Sequence, residues 1–119
     1  MKSLAVALGL VLVLAAGASA AVPGKVVATK SASGGSAVTV TSAVVKQPTG
    51  LWVRFTGKVR GGNAVVSCDR GYTVSSNSYF YERAGVFRLP IAPSRADTCA
   101  VFGGVAGSGE VTVEIRATT

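Results

Sequence analysis

The chain has no histidine. That removes every nucleophile–histidine–carboxylate triad and the commonest general base at neutral pH. It also removes zinc sites of the mixed type, because two cysteines alone do not complete a tetrahedral set. Acidic residues are few: Asp69, Glu82, Asp97, Glu110 and Glu114 are all there are. Glycosidase chemistry needs a facing carboxylate pair. These five are poor candidates for one. Glu110 and Glu114 fall on outward positions of a strand pattern. Asp69 and Asp97 suit turns, where short carboxylates bond nearby backbone N–H groups, and Arg70 and Arg95 are at hand to pair with them. Serine–lysine chemistry has no supporting motif. The glycine-rich "GGVAGSG" lacks the Lys-Ser/Thr and the following helix of a phosphate loop. No catalytic residue, metal or cofactor is expected.

Long apolar runs are also missing. The longest, residues 4–16, has 13 residues, short of the 18 or more of a spanning helix. It follows Lys2 and precedes Ala18-Ser19-Ala20, a small-x-small site. The pattern predicts a secretory signal over residues 1–20, cleaved after Ala20. No twin arginine precedes the run and no cysteine follows it, so a lipid anchor there is not expected. The first 20 of 119 residues removed, 99 remain. They make one domain, residues 21–119, with no transmembrane span and an extracellular destination. The formal charge of +7 becomes +6 when Lys2 goes. A cationic secreted protein collects near anionic surfaces. The same charge, spread along the chain rather than clustered, also serves plain solubility.

What the chain does have is valine, threonine, serine and glycine. No stretch after residue 20 keeps a helical period for three turns. Strand composition and two-residue alternation take its place. "AVTVTSAVV" (residues 37–45) sets Val38, Val40 and Val44 on one side. "LWVRFTGKVR" (51–60) sets Leu51, Val53, Phe55 and Val59 on one face and Trp52, Arg54, Thr56, Lys58 and Arg60 on the other. "EVTVEIRA" (110–117) points Val111, Val113 and Ile115 inward. "SASGGS" (31–36), "GGN" (61–63), "APSRAD" (92–97) and "GVAGSG" (104–109) read as turns or loops, the last joining "TCAVFG" to "EVTVEIRA" as a hairpin. Seven or eight short strands at near-regular spacing predict an all-β, antiparallel β-sandwich, with a small barrel as the other arrangement. An immunoglobulin-like architecture is compatible with the strand count. The specifics of true immunoglobulin domains are absent, since Trp52 precedes both cysteines and Asp97, not tyrosine, stands two residues before Cys99.

Cys68 and Cys99 are the only cysteines, 31 positions apart. An exported chain with an even count predicts a disulfide. Arg70 would favour a reactive thiolate at Cys68, but no CxxC spacing supports a redox role.

The stretch from Val65 to Ala117 contains "SCDRG", "RLPI", "ADTC" and "GSG" before a last strand. With Cys68, Arg70, Gly71, Leu89, Pro90, Ala96, Asp97, Thr98, Cys99, Gly107, Ser108 and Gly109 in place, it resembles a group of small secreted two-cysteine β-proteins, mainly actinobacterial. The resemblance implies export and a disulfide-bearing β fold. It implies no activity.

Two surfaces stand out as binding candidates. The row Trp52, Arg54, Lys58, Arg60 combines a flat aromatic with cations, suited to an anionic polymer or a stacked sugar. The alternative for Trp52 is packing beneath a loop or a neighbouring strand. Tyr79 and Tyr81, around Phe80, form the second: one side of that strand must be core, and the other is expected to be an exposed aromatic ledge of the kind binding surfaces use. The expectation is a secreted, non-enzymatic binding module, with an anionic cell-surface polymer or an extracellular protein as partner and no specific nucleic-acid motif. An inhibitor of a protease or other hydrolase, and a structural component self-associating through sheet edges, are the other readings.

Overall fold

A computed structural model describes residues 22–69, 74–91 and 98–119. The signal segment, the start of the strand expected at Tyr72, Arg70 and Gly71, and the 92–97 loop with Arg95, Ala96 and Asp97 lie outside the described residues. Every regular element among the described residues is a β-strand: β1 (Lys25–Lys46), β2 (Gly50–Asp69), β3 (Val74–Tyr81), β4 (Gly85–Leu89) and β5 (Thr98–Thr118). All pairing is antiparallel, in the order β1-β5-β2-β3, while β4 pairs with the opposite end of β2 from β3. The all-β antiparallel architecture is as the alternation predicts.

The strand count is not. Among the described residues five strands stand where seven or eight were expected, because β1, β2 and β5 run through segments that composition marks as turns. "SASGGS" lies inside β1, "GGN" inside β2 and "GVAGSG" inside β5. "TCAVFG" and "EVTVEIRA" are therefore two halves of one strand, not a hairpin. Glycine here does a different job from turning the chain back. It lets a strand bend sharply at a bulge.

The bends fall at one level. Pairing is irregular between Gly34 and Ala37 in β1, and between Gly57 and Gly61 in β2, opposite residues 106–111 of β5. At that level the three strands fold over together. An ideal Cβ on Gly103 would lie 2.9 Å from Val113 Cγ2 and 3.4 Å from Val53 Cγ2, so the early half of β5 faces its own later half. Likewise the Phe55 ring lies over Gly62, 2.7 Å from where a Cβ would stand. The result is a two-layer sandwich whose corner strands belong to both layers. The first layer holds residues 25–33, 50–56 and 111–118 with β4. The second holds residues 37–46, 63–69 and 98–106 with β3. This differs from an immunoglobulin sandwich, whose strands divide between two separate sheets.

Bulges also set which residues face inward. One extra residue between Val59 and Gly61 reverses the parity of β2. Leu51, Val53 and Phe55 are buried before it, and Ala64, Val66 and Cys68 after it. In β5 the extra residues number two, between the partners of Gly57 and Lys58. Parity is kept, and Val101, Val105, Val111, Val113 and Ile115 all face the core. These side chains and Leu89 make one cluster between the layers, with no buried charged or polar side chain among the described residues.

Cys68 and Cys99 are directly opposite in the β2–β5 register and form a disulfide, as the sequence predicts. It sits in the second layer, at the end away from the corner, with both cysteines buried in the core cluster.

Candidate functional site

The outer face of the first layer carries Trp52. The strand on either side fixes its neighbours: Arg88 of β4 is opposite it on one side and Arg116 of β5 on the other. Gly50, two residues earlier and on the same face, leaves room for the indole to lie down. A Cβ there would meet Trp52 Cη2 at 2.5 Å. The ring is half-buried on the outer face and does not enter the core. The exposed Arg88 guanidinium carbon lies 5.4 Å from the ring centroid, a cation–π contact.

The other charges on this face are unequal. Arg116 is occupied as a tether: its Nε donates to the Pro23 carbonyl (2.8 Å), one Nη to the Gly24 carbonyl (3.0 Å) and the other to Glu114 (2.8 Å). This holds the segment before β1 against the sheet. Arg54 approaches Glu114 only to 3.7 Å. The face thus carries three arginines and one carboxylate, which only Arg54 and Arg116 approach. Arg88 has no carboxylate partner among the described residues, and Arg54 shares one already bound by Arg116.

The row expected from alternation is broken by the bend. Trp52 and Arg54 stay together, but Lys58 stands exposed at the corner. Arg60 borders a separate shallow depression of about 380 Å³ on the second layer, together with Val38, Val40, Asn63, Phe80 and Gly104. The bulged register between Gly57 and Gly61 is the cause, since strict alternation does not survive it. In exchange the sheet delivers Arg88, which sequence spacing could not place beside Trp52. The available signal was the alternation of "VFRL", whose inward Phe87 and Leu89 leave Arg88 on the outer side.

The second candidate is corrected. Tyr79 and Tyr81 pack against the core, and the side chain turned outward between them is Phe80, 78% exposed. Tyr81 stacks on Phe87 (4.2 Å between centroids, 19° between planes) and leans on Phe55 at 5.7 Å. Burial first, then the charge of Tyr79, raises the Tyr81 phenol above its ordinary value of 10.0. The tyrosines close the corner end of the sandwich and offer no outward ledge.

No family model matches the chain, and no curated protein is similar to it. Among solved structures it is similar to a protein described as PirA (12% identity, 76% of this chain and 92% of that chain covered, TM-score 0.44). It is also similar to a family 16 carbohydrate-binding module (20% identity, 73% and 71% covered, TM-score 0.33). These values assign no function.

Among the described residues no group of three His, Cys, Asp or Glu side chains gathers to hold a metal. The Trp52 face can stack a flat or apolar group on a ring and meet acidic groups with two guanidiniums.

Proposed function

We propose that the protein is a secreted, non-enzymatic binding module that holds anionic cell-surface polymers on the outer face of β4, β2 and β5. The observation that supports this best is the Arg88 guanidinium over the half-buried Trp52 ring, with Arg54 next along the same face. The aromatic surface takes the uncharged part of a repeating unit, and the two guanidiniums take its acidic groups, bidentately where geometry allows. The diagonal between Arg54 and Arg88 spans roughly 7–8 Å at the Cα level, a spacing that meets separate acidic groups rather than one. Glu114 lowers the field of the patch and orients Arg54 and Arg116. The excess of basic residues over the whole chain adds long-range attraction. Export follows from the signal-type first 20 residues and suits the disulfide.

The test uses the single tryptophan. The mature protein is titrated with teichoic acid, single-stranded DNA and anionic-lipid vesicles, and Trp52 fluorescence is followed at low and high salt. A saturable change with at least one of them, weakened by salt and lost in an Arg54→Glu/Arg88→Glu variant that melts like the parent, is the expected result. A flat response to all three, or binding unchanged in that variant, overturns the proposal.

A further inference from the structure

β1 is the outermost strand of the sheet along its whole length of 22 residues. One side of it pairs with β5. No described strand lies on the other, where the backbone N–H and C=O groups of alternate residues point outward. Such an edge is a template for another strand, and proteins usually blunt it with charge, proline or bulges. In the first layer β1 carries Lys25, Lys30 and a bulge at Val26–Ala28, and at the corner its ladder breaks between Gly34 and Ala37. Beyond them the ladder is regular from Ala37 to Lys46. Those nine residues, "AVTVTSAVV", contain neither charge nor proline before Lys46. Their outward side chains Val38, Val40 and Val44 are 66%, 55% and 69% exposed, and Phe102 on the neighbouring β5, opposite Ser42, is 49% exposed.

We infer that this edge pairs with the same edge of a second copy, antiparallel, about a two-fold axis at Thr41. Parity and charge select the register. With Thr41 opposite its own copy, Val38 faces Val44 of the second chain, Val40 faces Ser42, and buried Ala37 faces buried Val45. Outward residues meet outward residues and core residues meet core residues. A slip of one residue would oppose exposed valines to the core-facing set. A slip of two in one direction brings Lys46 opposite Val38, and in the other brings Val44 against Ser36 at the broken part of the ladder. At the Thr41 register Lys46 falls opposite Ser36, and no lysine faces a lysine. The valines and Phe102 of both copies then form one continuous apolar strip across the joint. The contact is isologous, so it closes as a dimer and builds no fibre. It uses none of the Trp52 face and stands independently of the polymer-binding proposal.

Each copy carries a net positive charge, so screening strengthens the pairing, opposite to the salt effect on polymer binding. Sedimentation velocity of the mature protein tests it across micromolar to millimolar concentration. The expected result is a monomer–dimer equilibrium shifted toward dimer by salt. Val38→Lys/Val44→Lys sets like charges directly opposite and weakens dimerisation at least tenfold. Val38→Glu/Val44→Lys sets opposite charges there and restores it, since position 38 faces position 44 twice in the dimer. All these side chains are exposed, and thermal melts verify that each variant is folded. A protein that stays monomeric throughout, forms larger polymers, or dimerises equally well with Val38→Lys/Val44→Lys overturns the inference. Failure of the Glu/Lys variant to recover the dimer overturns the register.

Discussion

Gly107→Ala is a sharp test of the bent-strand architecture. Gly107 lies where β5 crosses Lys58 of β2 in the corner. An added Cβ would fall 2.1 Å from the Lys58 carbonyl oxygen and 2.9 Å from Val111 Cγ1, where ordinary contact begins at 3.4 Å. The first obstacle is backbone, which cannot rotate away. β2 and β5 must part by more than an ångström at the point where both layers are joined. Overpacking of this kind costs roughly 1–3 kcal/mol and sometimes more. With a rigid strand as the obstacle, the upper end, about 3 kcal/mol, is expected. That lowers the melting temperature by roughly 12–24 °C in a domain of this size. Gly35→Ala is the matched control. Gly35 has open space around its missing side chain and no left-handed backbone, so alanine there is neutral or up to about 1 kcal/mol stabilising through the unfolded chain. Urea and thermal unfolding, followed by Trp52 fluorescence and far-UV dichroism, give both values. A hairpin turn over residues 104–109 would leave Gly107 in solvent, and the two variants would behave alike. If Gly107→Ala melts within a few degrees of the parent, the corner described above is wrong.

Two further outcomes follow from named groups. The Cys68–Cys99 bond closes a separation of 31 residues, so chain-entropy reasoning puts its removal in Cys68→Ala/Cys99→Ala at about 3.5–4 kcal/mol. A loss under about 1 kcal/mol by urea titration would show that the β2–β5 ladder alone holds that end. The Tyr81 phenol, raised by burial and by Tyr79, retains its proton in the folded state above the pH at which the unfolded chain releases it. Its contribution is therefore complete below the unfolded value and is lost as pH rises through the folded one. Stability measured on the alkaline side of pH 10 falls more steeply in the parent than in Tyr81→Phe, and parallel curves would contradict the burial described for Tyr81.

Alternation made the inward sets legible within each half-strand. Leu51, Val53 and Phe55, and again Val111, Val113 and Ile115, are buried as their two-residue period requires. The cysteine pairing was legible because two cysteines allow only one intramolecular bond. What the pattern hid was continuity. A glycine cluster in a β-rich chain has the same composition whether it reverses the chain or bends a strand that continues. Only the partners of Gly57–Gly61 and of Gly34–Ala37 distinguish the two. The same ambiguity split the Trp52 row, because an extra residue at Val59–Gly61 spoils any face drawn across it. Arg88 became part of the site through β4 pairing with β2, a contact between segments 36 residues apart that no local period contains. Tyr79 and Tyr81 were misjudged for a simpler reason. In "SYFYE" the alternation is clear, but which side meets the core depends on the layer behind it.

β5 is the last strand in the chain, yet it is the strand on which the other long ones depend. β1 pairs with β5 alone, and β2 pairs with no long strand other than β5. Until residues 98–118 are present, the first half of the chain has no partner for its edges, and β2 has only its short neighbours β3 and β4. The order of synthesis and the order of folding are thereby opposed. Residues 25–69 therefore leave the site of synthesis before the strand that pairs with them exists, and no ladder between long strands can form until the 21 residues of β5 have been made.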